Sequence, residues 1–217
     1  MEEYWTLLKD TILFSGFTEE ETKTIFKCVG FQIHCFEGGN AVFKEGDHVD
    51  EMMILLDGCL HIQKGDIWGN RSIYSIVLPG DIFGYCALDS EVIPNDILAV
   101  EKSHVLFFDA SRVLSSCKKP CLFYSRIVMN IVHSLSSKNR QLVQKLDYLS
   151  QHTTRQKLLA YLSDEVKRQG SNTINLPFDR QELADYLSVD RSAMCAELSK
   201  MKADGLILYK RNRFIIL

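Results

Sequence analysis

The sequence has no apolar run approaching the roughly 18 to 20 residues that a bilayer-spanning helix requires. Its first residues, "MEEYWTLLKD", are acidic where a signal peptide is basic, so a cytoplasmic location without membrane attachment is expected. A disulfide framework is missing as well. Seven cysteines are an odd number, and Cys28, Cys35, Cys59, Cys86, Cys117, Cys121 and Cys195 are scattered along the chain, which fits a reducing compartment. There is no excess of positive charge: the net charge is −3, an unpromising balance for a nucleic-acid binder.

That balance changes when the chain is divided. Residues 1–148 carry 14 Lys/Arg against 20 Asp/Glu, a balance of −6, while residues 149–217 carry 11 against 8, a balance of +3. Such asymmetry is what a nucleic-acid-facing segment joined to something else produces, although ordinary variation in surface charge produces it too. With 217 residues, 46% hydrophobic and 24% charged, the chain is long and apolar enough for one or two domains with real cores.

Residues 3–14 and 18–28 read as short helices, the second opened by Thr18 with Glu21 three residues on, a capping-box pattern. From about Phe31 to Phe108 the pattern changes to short runs of Val, Ile, Phe and Leu. These are cut by Gly38-Gly39, Gly46-Asp47, Asp57-Gly58, Gly65-Asp66, Gly69-Asn70 and Pro79-Gly80-Asp81. Turns at that rhythm predict an antiparallel sandwich or barrel. Between Cys121 and Leu149 the pattern is helical, with Val128, Ile131, Leu135, Leu142 and Leu149 on one stripe; four of these five are spaced by seven. Either the chain's own barrel covers that stripe or a twofold-related copy does, and the length of the helix favours the copy.

The stretch "FDRQELADYLSVDRSAMCAELSKMKADGLI" reads as two short amphipathic helices broken at Ser188-Val189-Asp190. Asp179 with Glu182 marks the first helix, which buries Leu183, Ala184 and Leu187; Asp190 caps the second, which buries Met194, Leu198 and Met201. Two helices joined so tightly predict a helix-turn-helix, whose second helix can enter the major groove of DNA. At 100° per residue, Ser192, Ala196 and Ser199 lie opposite the buried stripe, with Cys195 beside them, and with Asp190 and Arg191 at the exposed start they make up the expected DNA-facing residues of this helix. Arg191 suits a bidentate contact with guanine, and Arg180 and Gln181 suit phosphates. "LILYKRNRFIIL" follows as a hairpin with Lys210, Arg211 and Arg213 at its tip, a wing. A plain packing unit of two helices and a hairpin is the alternative.

Those residues resemble the winged helix-turn-helix of the CRP/FNR family of bacterial transcription regulators. "LFSGFTEEE", "VFKEGD", "MMILLDGCLHI" and "VLPGDIFG" resemble, in order, that family's effector barrel, so the likeness covers nearly the whole chain. It implies an α+β chain: a cyclic-nucleotide-binding-like jelly-roll barrel over residues 1–115, a long dimerisation helix over 116–149, and a winged helix-turn-helix over 150–217. It further implies a homodimer on a palindromic operator of double-stranded DNA, with RNA polymerase as a further partner, and no enzymatic activity.

Two departures stand out. Members of the family that bind cyclic AMP carry a Gly-Glu pair after the barrel's "FG" and an Arg-Ser or Arg-Thr further on. Here those places read Gly84-Tyr85-Cys86 and Asn95-Asp96-Ile97, and a cyclic phosphate facing Asp96 would be repelled. In the reading helix, the catabolite-activator pattern Arg-Glu…Arg becomes Arg191-Ser192 and Ala196, so a different half-site is expected.

Without a C-x-x-C, and with Cys28 and Cys35 the only N-terminal pair, an iron–sulfur cluster is not expected. Cys117 and Cys121, at i and i+4, offer a thiol switch or a metal pair, or are two inert buried thiols. No spacing among His34, His48, His61 and His104 favours a heme. No cofactor is expected. By elimination, a small organic effector of unknown identity is assigned to the surroundings of Phe83, Gly84, Tyr85, Cys86 and Leu88. A regulator without effector, a cupin-like enzyme (for which "GDHVDEMMILLDG" offers only His48) and a scaffold dimer are the alternatives.

Overall fold

The computed structural model describes residues 4–89, 92–109, 112 and 124–217. The chain divides into two compact units, Met1–Lys64 with Tyr74–Lys138, and Gly65–Ile73 with Asn139–Leu217.

The first unit opens with α1 (Trp5–Asp10), a 3₁₀ turn (Ile12–Phe14) and α2 (Glu19–Val29). α2 starts where the sequence says it should: the Glu21 amide donates to Thr18 Oγ1 at 3.3 Å and the Thr18 amide to Glu21 Oε2 at 2.8 Å, satisfying two backbone donors at the helix start. Eight strands follow: β1 (Phe31–Phe36), β2 (Ala41–Phe43), β3 (Glu51–Asp57), β4 (Leu60–Gly65), β5 (Arg71–Val77), β6 (Ile82–Phe83), β7 (Asp96–Ala99) and β8 (Ser103–Asp109). They form two four-stranded sheets, β1-β8-β3-β6 and β2-β7-β4-β5. The expected jelly roll is present, built as two facing sheets rather than as one closed hydrogen-bonded barrel.

The core lies between the sheets and under the N-terminal helices, because Leu8, Leu13, Phe14 and Ile25 belong to the same buried cluster as Met53, Leu60, Phe83, Ile97 and Phe107. With cover on both faces, β3 reads as a continuous apolar run, Met52 to Leu56, instead of alternating. The turn into β4 requires a glycine. Gly58 has φ +87°, and a Cβ there would strike Ser103 and the Lys102 carbonyl.

Next comes α3 (Tyr124–Ser150), 27 residues long. The second unit continues with α4 (Thr154–Gln169), β9 (Thr173–Asn175), α5 (Arg180–Leu187), α6 (Arg191–Ala203), β10 (Ile207–Lys210) and β11 (Arg213–Ile216). The three strands form a small sheet in the order β10-β11-β9. Among the described residues no helix is long and apolar enough to cross a membrane.

The stripe on α3 differs from the heptad reading. Ile131 is 4% exposed and packed in the first unit's core together with Ile127, and Val128 and Leu149 are half-buried. The apolar side chains left in water are Met129, Val132, Leu135, Leu142, Val143 and Leu146, the last 64% exposed. The cause is geometric. A straight α-helix drifts about 20° per seven residues, so a strict seven-residue ladder winds off one face. At 100° per residue the six exposed residues fall within an arc of about 140°, next to the buried face of Ile127, Asn130, Ser134 and Lys145. Cys117 and Cys121 lie outside the described residues.

Candidate nucleic-acid interface

α5 begins with a reciprocal cap: the Glu182 amide donates to Asp179 Oδ1 at 2.8 Å, and the Asp179 amide to Glu182 Oε2 at 2.7 Å. It ends at Ser188, whose φ of 50° is left-handed. The carbonyls freed at that end accept from Lys157 Nζ on α4, Leu187 at 3.2 Å and Ser188 at 3.3 Å. Two residues later Asp190 caps α6, its Oδ1 accepting from the Ala193 amide at 2.8 Å and the Ser192 hydroxyl at 2.5 Å. These hydrogen bonds hold the Asp190 carboxyl below its usual value, the Ser192 bond contributing most. The short break at Ser188-Val189-Asp190 is therefore a helix stop and a helix start placed back to back.

The buried faces match the sequence pattern. Leu183, Ala184 and Leu187 on α5 and Met194, Leu198 and Met201 on α6 are all between 0% and 1% exposed. Each of the larger side chains stabilises the pair by about 1.5 to 3 kcal/mol through burial. α6 is also pinned from behind, because Arg155 on α4 reaches Glu197 at 2.5 Å and Asp204 at 2.6 Å. Those two ion pairs, and the Lys157 bonds to the turn, were not singled out from sequence. A charged residue on a preceding helix carries no mark of which turn it will reach.

The opposite face of α6 is open. Arg191, Ser192, Ala196 and Ser199 are exposed and Cys195 is half-buried. Arg191 makes no ion pair among the described residues. Gln181, also exposed, donates to Asp185 Oδ1 at 2.8 Å along its own helix. The hairpin is present with Tyr209 opposite Phe214 and Lys210 opposite Arg213, leaving Arg211-Asn212 as its two-residue turn. Lys210, Arg211 and Arg213 all project into water. Arg211 sits at φ 51°, a conformation worth roughly 1 kcal/mol of strain for a residue with a Cβ. Arg180 lies elsewhere than the phosphate-facing position expected of it: it is half-buried, and its guanidinium lies over the rings of Tyr209 and Phe214 at 5.1 and 4.8 Å from their centres.

Comparison with known proteins agrees with this geometry. The family model of the cyclic nucleotide-binding domain matches residues 33–119, and that of the Crp-like helix-turn-helix domain matches residues 156–217. The chain belongs to the CRP/FNR family of transcription regulators. It is similar to the nitrogen fixation regulation protein FixK of Bradyrhizobium diazoefficiens, 25% identical over 84% of this chain and 76% of that protein. Among solved structures it resembles the c-di-GMP responsive global regulator CLP of Xanthomonas campestris (TM-score 0.73, 17% identity, 92% and 99% of the two chains). It also resembles a CooA mutant from Carboxydothermus hydrogenoformans (TM-score 0.74, 15% identity, 97% and 90%).

As a member of the CRP/FNR family the chain is a DNA-binding transcription regulator. In the first unit, the residues that the sequence assigned to an effector surround one turn. Phe83 is buried at the end of β6, and Gly84 is left-handed (φ +76°), with no room for a Cβ against Met53 Cε. Tyr85, Cys86 and Leu88 lie on a 3₁₀ turn, half-buried. Tyr85 Oη and Ser134 Oγ on α3 are 2.6 Å apart, so this turn is tied to the long helix. Burial raises the Tyr85 phenol above its usual value and keeps it neutral, against the smaller opposing effect of Ser134. Asp96, where cyclic-AMP-binding members carry an Arg-Ser or Arg-Thr pair, accepts from the Glu45 amide at 2.9 Å. Of the histidines, His34 and His48 are exposed, His61 is buried, and His104 is paired to Asp57 at 2.8 Å.

Proposed function

We propose that this chain acts in the cytoplasm as a homodimer that binds a palindromic operator in double-stranded DNA and regulates transcription together with RNA polymerase. In this reading α6 lies in the major groove with Arg191 on base edges, and Ser192, Cys195, Ala196 and Ser199 line the approach behind it. Lys210, Arg211 and Arg213 meet flanking phosphates, and Gln181 and the capped start of α5 meet the backbone near the groove edge.

One observation carries the proposal. α6 buries one apolar stripe completely and leaves the opposite face small and open, with an uncommitted arginine at its first residue. Small side chains let a helix approach base edges closely, and an exposed arginine there has free donors for guanine O6 and N7. The six apolar side chains in water along α3 support the homodimer, since a second copy related by a twofold axis would cover the same stripe on both.

The effector is proposed to be something other than cyclic AMP or cyclic GMP. Asp96 offers a carboxylate already held by the Glu45 amide where a cyclic phosphate needs a cation. A small organic molecule meeting Phe83, Tyr85, Cys86 and Leu88 would act on α3 through the Tyr85–Ser134 bond. An effector-independent regulator is the second reading, favoured by how completely Phe83, Ile97 and Phe107 are already buried by the chain's own side chains.

Selection of duplexes from a random pool tests the proposal. It should return two inverted half-sites centred about one helical turn apart. A pool that emerges without any shared sequence contradicts it. Titration calorimetry with cyclic AMP should show no micromolar binding, and such binding would overturn the effector reading.

A further inference from the structure

The environment of Arg180 points to a role that its charge alone does not suggest. It is the first residue of α5, but its side chain turns toward the hairpin formed by β10 and β11 instead of outward. Nη2 donates to the carbonyl of Arg211 at 2.7 Å, at the residue that carries the left-handed turn. The guanidinium plane covers both Tyr209 and Phe214, which are cross-strand partners with ring centres 5.5 Å apart. The other turn carbonyl, that of Asn212, accepts from the Leu176 amide at 2.9 Å. Both carbonyls of a strained two-residue turn are thus held from outside the hairpin. Tyr209 also meets α6, its hydroxyl 3.5 Å from Ser199 Oγ and its ring 5.7 Å from Lys202 Nζ.

We propose that Arg180 is a positioning residue that clamps the wing to the start of α5, holding Tyr209 of the wing against the reading helix, so that it strengthens DNA binding through Lys210, Arg211 and Arg213 and not through a phosphate of its own. Burial favours this: the guanidinium lies over two rings, and its Nη1 is shut off from water. Its desolvation lowers the arginine below its ordinary value, as burial of the charged form does. A planar guanidinium can lie on aromatic rings and donate along its edge at once, which an ammonium cannot do. The inference rests on the DNA-binding reading above, but its geometric half concerns the free protein alone.

The test has two arms. In the first, the full-length protein is titrated with its selected duplex over about 50 to 300 mM salt, as wild type, Arg180→Ala, Arg180→Lys and Tyr209→Leu. Each is measured again with the wing neutralised by Lys210→Gln, Arg211→Gln and Arg213→Gln. The clamp predicts that all three substitutions weaken binding by on the order of tenfold in the native wing and add nothing once the wing is neutral. Full rescue by Arg180→Lys, or a further loss of salt slope from Arg180→Ala in the neutral wing, would mark a direct phosphate contact and overturn the proposal.

In the second arm, amide hydrogen exchange of residues 211–214 is followed without DNA. Arg180→Lys and Arg180→Ala should both speed exchange there while α6 stays protected, and unchanged exchange overturns the clamp. Should Arg180→Ala fail to fold, Arg180→Lys decides both arms. A wild-type protein that binds no duplex would sink the DNA reading and leave the exchange arm to judge the clamp by itself.

Discussion

At the scale of single residues, the sequence tells charge and position but not direction. Arg191 and Arg180 are both arginines at the first position of a helix, each directly after an aspartate cap, and nothing in their neighbourhoods in the sequence separates them. Packing does. Among the described residues Arg191 lies over no aromatic ring and stays in water, whereas Arg180 finds Tyr209 and Phe214, residues that arrive only when the hairpin folds back. Arg191→Ala should therefore cost about 1 to 3 kcal/mol on the selected operator and relax one base position, while binding to random duplex changes little. Anisotropy titrations on operators substituted at each position check this, and an equal loss on all sequences would contradict a base contact.

Lys145 shows a residue-scale effect that no sequence pattern announces. It is 7% exposed on α3, donates to the Ile73 carbonyl, and lies 4.2 Å over the Tyr186 ring. Burial pushes its ammonium down to about 8. Because the folded value lies below the unfolded one, the penalty for burying the charge is complete below pH 8. It is relieved as pH rises from about 8 toward the unfolded value near 10.5, by up to about 3 kcal/mol. Burial raises Tyr148, Tyr161 and Tyr186 in the same unit, which lowers stability once unfolded tyrosines ionise near pH 10. The comparison with Lys145→Met cancels that contribution. Melts at pH 7 should favour the variant, and its advantage should shrink steadily toward pH 10; a gap independent of pH would contradict the assignment.

At the scale of elements, what was legible is what local chemistry decides. Thr18 with Glu21, Asp179 with Glu182, and Asp190 each mark a helix start in the sequence, and each makes the predicted hydrogen bond, because a cap needs only residues three apart. The two-residue turn at Arg211-Asn212 was equally readable. The face of α3 was not, since which side of a helix is buried depends on what packs beside it. Leu135 and Leu142 on the seven-residue ladder stay in water, whereas Ile131, between its rungs, is in the core.

This correction makes a testable division along one helix. Val143→Asp with Leu146→Asp should leave the fold intact and convert a dimer to a monomer in sedimentation, because a carboxylate buried without a partner costs about 3 to 5 kcal/mol. Ile131→Asp should unfold the first unit instead. Dimers that persist through the double substitution would place the interface elsewhere.

At the scale of the whole molecule, the order of elements was readable because turn glycines and apolar runs repeat at strand length, and because the change to helical period is abrupt. The charge asymmetry between residues 1–148 and 149–217 pointed toward the segment that folds as the winged helix-turn-helix. Whether a ligand enters the first unit was not readable, as Phe83, Tyr85, Cys86 and Leu88 are ordinary core-forming types at the end of β6 and on the turn after it.

The central claim is that the open face of α6 reads duplex DNA. Titration of the purified chain against its selected duplex and a scrambled duplex, across a salt series, tests it most directly. Binding should be tighter to the selected sequence at every salt concentration, with log Kd rising linearly with log salt as phosphate counterions are released. Equal, or no, binding to both duplexes throughout the series would contradict it.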